Sequence, residues 1–292
     1  MGGCIPNTMT AQIIDGIHVA KCIKSSMMKK IHSLRAQNME PCLATVLVGD
    51  NPASATYVKN KQRAAIELGM KTKDHRLGPN CPQTELLELL NELNEDSSVH
   101  GILVQLPLPK HLNTFIITNA IKPQKDVDGL TTANMGLLIS GRGILRPCTP
   151  MGILELMDHY RISISGSDVV IVNRSQLIGK PLAFLLLERD ATVTICHSKS
   201  NNILKKIKDA DVIITGVGNR EKFTLTGEMI KNDSVVIDVG ITRYKGKLVG
   251  DADYASVEKK ALWISPVPGG VGPMTVCMLL NNTLIAACLP KT

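Results

Sequence analysis

Val169-Val170-Ile171-Val172-Asn173-Arg174-Ser175-Gln176-Leu177-Ile178-Gly179-Lys180-Pro181 is the stretch on which the fold turns. A short β-branched run ends in a polar loop, and the loop ends in residues that open a helix. Gly179 permits close backbone approach, Lys180 brings charge to a helix start, and Pro181 suits the first helical turn. The β-branched signature recurs at Thr192-Val193-Thr194-Ile195, Val212-Ile213-Ile214 and Val235-Val236-Ile237. Residues 180–189 and 201–209 between them read as helices, and Leu262-Trp263-Ile264 reads as a last strand. Strands alternating with helices predict parallel pairing, an α/β class and a Rossmann-like doubly wound sheet.

The usual G-x-G-x-x-G fingerprint is absent from the first strand's loop. Its physical parts remain: Ser175 and the loop amides can meet a phosphate, and the helix dipole favours anions. The second strand ends in Cys196-His197-Ser198-Lys199, without the carboxylate that holds free ribose hydroxyls. Arg174, His197, Ser198 and Lys199 suit a 2′-phosphate through charge-assisted hydrogen bonds. That favours NADP over NAD. Gly216-Val217-Gly218 after the third strand reads either as a plain turn or as a cofactor contact. Gly240-Ile241 ends the fourth strand, at a natural edge for an adenine or nicotinamide pocket.

Upstream, Leu43 to Val48 is a continuous apolar strand, and Gly49-Asp50-Asn51-Pro52 turns it. Ser54 is the expected N-cap of a helix that runs to Leu68 and stops at Gly69. Val58, Ala65 and Leu68 form its buried stripe. Tyr57 and Lys61, four residues apart, share a different face. Gly101-Ile102-Leu103-Val104-Gln105-Leu106 is a second strand with a polar glutamine near its end, stopped by Pro107 and Pro109. A helix follows at 115–121, then the turn Lys125-Asp126-Val127-Asp128-Gly129. Taken singly, each polar residue has a plain structural reading: Lys61 as a solvated helix lysine, Gln105 as a loop tie, Asp128 as a turn closer, Tyr57 as half-buried core.

Ser140-Gly141-Arg142-Gly143 and Pro147-Cys148-Thr149-Pro150 mark a change of composition, and a helix at 150–160 is expected to link two domains. The proposed division is 1–150 with 273–292, and 151–272. The last helix, Met274 to Ala287, is expected to return to the first domain.

The chain has 292 residues, 44% hydrophobic and 20% charged, so it can bury real cores. Aromatics are 3%, leaving the cores to aliphatic residues. The net charge of +7 comes from scattered lysines, neither striped nor interleaved with aromatics, which argues against nucleic acid and for small polyanions. The eight cysteines form no C-x-x-C pair and no zinc-spaced cluster with histidine, so no metal is expected. Several lie in apolar runs, which reads as reduced thiols in a cytoplasmic compartment. The longest apolar run, Val276 to Leu289, is broken by Asn281-Asn282, and no membrane partner is expected. Met1-Gly2-Gly3-Cys4 hints at acylation, but Pro6 stands where Ser or Thr is needed, so a simple leader is the reading kept.

In combination the motifs say more. Ser54 to Lys61, Val104-Gln105-Leu106-Pro107-Leu108-Pro109, Lys125 to Gly129, Arg146 to Pro150, Arg174-Ser175 with Gly179-Lys180-Pro181, and Pro266 to Thr275 stand in one order. Together they resemble the bifunctional methylenetetrahydrofolate dehydrogenase/cyclohydrolase family, from Thr10 onward. The resemblance implies an N-terminal α/β catalytic domain, a Rossmann-like NADP-binding domain and an active-site cleft between them. It implies oxidation of 5,10-methylenetetrahydrofolate with NADP, hydrolysis of the methenyl product to 10-formyltetrahydrofolate, and a homodimer. It assigns Lys61 as the catalytic lysine, with Gln105 orienting it, Asp128 on the pterin edge and Tyr57 packed on the folate. Val104, Leu106, Pro268, Gly269 and Gly270 line the substrate site. Asn173, Arg174, Ser175, His197, Ser198, Gly216, Gly218 and Ile241 contact the cofactor. Asn173 stands where the family commonly has glycine. Asparagine tolerates a left-handed backbone better than most residues, so the loop is expected to survive.

Overall fold

The computed structural model describes residues 10–290; the Met1–Cys4 reading lies outside the described residues. In chain order the elements are β1 (Gln12–Ile13), α1 (Gly16–Ala36), β2 (Cys42–Val48), α2 (Pro52–Glu67), β3 (Lys71–Leu77), α3 (Gln83–Glu95), β4 (Gly101–Val104), α4 (Thr114–Asn119), α5 (Thr132–Ile139) and α6 (Cys148–His159). They continue with β5 (Asp168–Val172), α7 (Gly179–Leu187), β6 (Thr192–Cys196), α8 (Ile203–Asp209), β7 (Val212–Thr215), β8 (Val235–Asp238), β9 (Thr242–Tyr244), β10 (Lys247–Val249), α9 (Tyr254–Val257), β11 (Trp263–Ile264) and α10 (Val271–Cys288). Two compact units result: one holds residues 20–151 and 275–290, the other 10–19 and 152–274.

The first unit is built on a three-stranded parallel sheet of order β3-β2-β4. Every residue of the central strand β2 is buried, as a strand covered on both faces requires. One face, Cys42, Ala44, Val46 and Val48, packs with Leu86, Leu90 and Leu93 of α3 and with Ile102, Val104 and Ile117. The spacing of those three leucines is that of one helix stripe. Each such buried aliphatic side chain stabilises the fold by about 1.5–3 kcal/mol relative to exposure. The edge strand β3, Lys-Thr-Lys-Asp-His-Arg-Leu, is rich in charge, which discourages further strand pairing.

α2 begins three residues before the expected start. Its N-cap is Asn51, whose side chain accepts from the amides of Ala53 and Ser54 at 3.0 and 3.1 Å. Both Asn51 and Ser54 can cap; Pro52, at the first helical position, decides for Asn51. Ser54 is instead buried within the helix. The β4 strand ends at Val104, earlier than expected, yet the Gln105 amide still donates to the Val46 carbonyl at 2.9 Å.

The second unit carries a six-stranded parallel sheet of order β1-β11-β8-β7-β5-β6. Residues 10–19, expected with the first domain, pair into this sheet: β1 adds to β11 through Gln12↔Trp263 and Ile13↔Ile264. The chain leaves β5 first to β6 on one side and then to β7 on the other, so β5 is the topological switch point. In register, Val172 faces Cys196 on β6 and Thr215 on β7, and Thr215 faces Asp238 on β8. The loops that follow these four strands therefore leave the sheet at one level. Ligands of open α/β sheets bind at that edge.

α10 is longer than expected. By length and composition it could cross a membrane, but 61% of it is buried inside the structure, as befits a core helix.

Candidate active site and cofactor-binding loops

Lys61 sits in the middle of α2 with Tyr57 one turn before it on the same face. Val58 and Ala65 point to the core, and Gln62 donates to Thr45 Oγ1 of β2 at 2.7 Å, which fixes the rotation of the helix on the sheet. Lys61 is half-buried and Tyr57 is 46% exposed, so the ring presents a free face. Lys61 Nζ donates to Gln105 Oε1 at 3.0 Å. A lysine head has only donors, so the glutamine must turn its oxygen toward it. Its amide nitrogen then donates to the Leu106 carbonyl at 2.6 Å, which locks the glutamine from the other side.

Asp128 arrives by a different route. Ile102 of β4 bridges Asp126 in parallel, and the turn that follows brings Asp128 near enough to Lys61 for their charges to interact. The turn is held by Asp126, 1% exposed, which accepts from the amides of Gly129 and Thr131 and from Asn134 Nδ2 at 2.8–2.9 Å. Asn282 of α10 holds its other side: Nδ2 donates to the carbonyls of Val127 and Arg146, both at 2.8 Å. Cys148 Sγ donates to the same Val127 carbonyl at 3.2 Å. Burial raises the Asp128 carboxyl above its ordinary range, the Lys61 charge opposes the shift, and the Asp126 charge adds to it. Burial also lifts the Cys148 thiol well above its usual value, so it acts as a neutral donor rather than a thiolate.

Lys61, Gln105, Asp128, Tyr57, Val104 and Leu106 thus stand in one unit. Asp126 and Asn282 were not found from the sequence. Asp126 was read only as part of a turn, and Asn282 only as a break in an apolar run. An asparagine within an apolar helix is the signal that could have found it, because a buried amide needs partners.

Pro268, Gly269 and Gly270 belong to the other unit, where Ile17 N donates to the Gly269 carbonyl at 3.1 Å. So do Asn173, Arg174, Ser175, His197, Ser198, Gly216, Gly218 and Ile241, which occupy the loops at the edge of the sheet around the switch point. Asn173 does not take the left-handed backbone expected for a glycine replacement; its φ is not positive. Its side chain organises the loop instead. Oδ1 accepts from the amides of Ser175 and Gly179 at 2.8 and 3.1 Å, and Nδ2 donates to the Gly216 carbonyl at 2.5 Å. A Cβ on Gly179 would run into the Asn173 carbonyl, so glycine is needed there for close approach. Ser175 Oγ accepts from the amide of Ile178 at 3.1 Å. The amides of Ser175, Ile178 and Gly179 are thus consumed within the loop, whereas the side chains around it stay open to an anion.

The cationic side chains fit that task. Arg174 is exposed and meets no partner among the described residues; Ser198 and Lys199 are exposed on the loop after the neighbouring strand. His197 Nδ1 accepts from the Lys199 amide at 3.2 Å and His197 N donates to Ser200 Oγ at 2.9 Å, so that loop is held without using the cations. An unpaired guanidinium opposite a strand end that lacks a carboxylate fits a nucleotide carrying a 2′-phosphate.

Comparison with known proteins agrees with both units. The family model for the tetrahydrofolate dehydrogenase/cyclohydrolase catalytic domain matches residues 14–128, and that for its NAD(P)-binding domain matches residues 147–290. The bifunctional protein FolD of Nitrosopumilus maritimus is 54% identical over 281 residues, covering 96% of this chain and 98% of the relative. The bifunctional FolD dehydrogenase/cyclohydrolase structure from Campylobacter jejuni has a TM-score of 0.92 at 45% identity, covering 95% of this chain and 98% of its own. The Trypanosoma brucei enzyme, solved with NADP cofactor and inhibitor, has a TM-score of 0.90 at 37% identity, covering 95% of this chain and 97% of its own. With an amine, an amide and a carboxyl gathered in one unit and a parallel sheet with its loops in the other, the chain belongs to the tetrahydrofolate dehydrogenase/cyclohydrolase family, with a catalytic domain and an NAD(P)-binding domain.

Proposed function

We propose that Lys61 is the proton-transfer group of the hydrolytic reaction, that Gln105 orients it, and that Asp128 and Tyr57 hold the pterin. The observation that carries the reading is the 3.0 Å bond from Lys61 Nζ to Gln105 Oε1, beside a carboxyl that burial keeps toward its neutral form. A carboxyl oxygen accepts from N–H groups, which matches the donor-bearing edge of a nitrogen-rich heterocycle.

The two reactions ask different things of the chain. Oxidation of 5,10-methylenetetrahydrofolate removes hydride from a carbon between two nitrogens, whose lone pairs stabilise the cation formed. No protein base is needed, so positioning dominates. NADP, when bound, supplies the hydride acceptor, and Arg174, His197 and Ser198 are the residues that would hold its 2′-phosphate. Hydrolysis of the methenyl cation to 10-formyltetrahydrofolate requires water to add and to lose a proton. With its amine in the neutral form Lys61 can take that proton while an N–H still donates to Gln105, which adds no counter-charge.

The same reading makes the protein a cytoplasmic homodimer with tetrahydrofolate derivatives as its partners, and gives no role to nucleic acid or membrane. Five free cysteines buried in the structure, Cys42, Cys81, Cys148, Cys196 and Cys277, support a reducing compartment. A spectrophotometric assay tests the function. Reduction of NADP by methylenetetrahydrofolate, and decay of methenyltetrahydrofolate without any nicotinamide, are both expected. Absence of either reaction would refute that half of the proposal.

A further inference from the structure

Two carboxylates outside the proposed contacts lie deep in the nucleotide-binding unit. Asp251 is 0% exposed and Asp238 3% exposed, and neither meets a cation among the described residues. Burying carboxylates without cations is costly unless hydrogen bonds compensate. Here they do. Asp251 accepts from Thr215 Oγ1 at 2.8 Å and from the amides of Val217 and Gly218 at 2.6 and 2.9 Å. Asp238 accepts from the amides of Gly240, Asp251 and Ala252 at 2.9, 3.1 and 2.7 Å.

The donors come from three separate loops. Thr215 ends β7 and Val217-Gly218 follow it; Gly240 follows β8; residues 251 and 252 follow β10. Arg220 Nη1 steadies the third loop by donating to the carbonyls of Gly250 and Ala252 at 3.0 and 2.8 Å. Ser265 Oγ accepts from the Asp238 amide at 2.8 Å. The Asn173 bond to Gly216 joins the loop after β5 to the same chain of contacts. Burial pushes the Asp238 carboxyl up to about 6, against the pull of its amide donors, and the Asp251 charge adds to the rise. With their N–H groups turned inward, Val217, Gly218 and Gly240 keep no amide for an anion. Val217 and Ile241 remain exposed beside them at 39% and 43%.

We propose that Asp251, backed by Asp238, is a positioning residue for cofactor binding: it ties the loops after β7 and β8 into the shape that receives the nucleotide. Its backbone partners lie at the cofactor edge of the sheet, and its action is through them. This rests on the NADP reading of the unit and goes beyond it.

The test uses Asp251→Asn and Gly240→Ala in the full chain. The first replaces one acceptor oxygen by a donor that faces an N–H. The second puts a methyl group against the Asp251 carboxylate without touching its charge. NADP affinity is measured by titration calorimetry, and hydrolysis of methenyltetrahydrofolate is measured with no nicotinamide present. Both variants are expected to bind NADP about tenfold or more weakly, the scale of one unsatisfied buried donor, with hydrolysis within about twofold of wild type. Where Asp251→Asn does not give folded protein, Gly240→Ala decides by the same two measurements. Unchanged NADP affinity in the folded variants would overturn the proposal. So would parallel loss of affinity and hydrolysis in Gly240→Ala, since the pair would then serve only the fold. Wild-type protein that fails to bind NADP would sink the cofactor reading itself, which separates the two failures.

Discussion

Lys61→Ala is expected to lower the hydrolysis of methenyltetrahydrofolate by about 10²–10⁴-fold, the usual contribution of a positioned proton-transfer group. Alanine is the best helix former, and Lys61 lies on α2 away from the buried stripe of Val58 and Ala65, so the helix is retained. The substitution removes the donor to Gln105 and leaves that amide held by Leu106. Oxidation of methylenetetrahydrofolate should fall far less, because that reaction needs no base from the protein. The measurement is paired kinetics of the two activities on the same preparation. Equal losses in both would mean that Lys61 serves binding or folding rather than proton transfer.

Arg174→Ala is expected to weaken NADP by about ten- to hundredfold while leaving NAD unchanged, since a hydrogen bond to a charged group is worth about 1.5–3 kcal/mol. The side chain has no partner to strand among the described residues, so folding should be unaffected. The check is the Michaelis constant for each nicotinamide in the dehydrogenase reaction, at low and high salt. A drop of equal size for NAD would show that Arg174 meets a group common to both cofactors. Neutral hydrolysis in the same variant would confirm that the other unit is intact.

What could be read from the chain followed from local chemistry. The β-branched runs at 168–172, 192–196, 212–215 and 235–238 became parallel strands because each is short, apolar and bounded by turn residues. The spacing of Tyr57 and Lys61 carried over because any helix puts them on one face. The motifs also carried the family, which the comparisons bear out. Other features rest on distant partners. β1 is two exposed residues that become a strand only by meeting β11, some 250 positions later. β3 is mostly polar and is a strand because β2 is already one. Asp126 and Asn282 are ordinary polar residues until the turn at 125–129 meets α10. Asp238 and Asp251 are 13 apart, yet their role depends on loops that leave strands far away in the chain.

Asn173 teaches the same point in reverse. The backbone argument for tolerating asparagine in place of glycine concerned φ, whereas the structure uses the side chain, with three hydrogen bonds that fold the loop onto Gly216. Local propensity described what the residue could endure, not what it does. Ser54 and Asn51 differ likewise: both can cap a helix, and the neighbouring proline chooses between them.

The central claim is that Lys61 and Gln105 act on the reacting carbon of a folate stacked against Tyr57. A crystal structure of this chain with a methenyltetrahydrofolate analogue tests it most directly. The account predicts Lys61 Nζ within about 3.5 Å of the one-carbon centre or of a water poised on it, the pterin against the Tyr57 ring and its edge on Asp128. An analogue bound elsewhere, with Lys61 turned to bulk solvent, would contradict it.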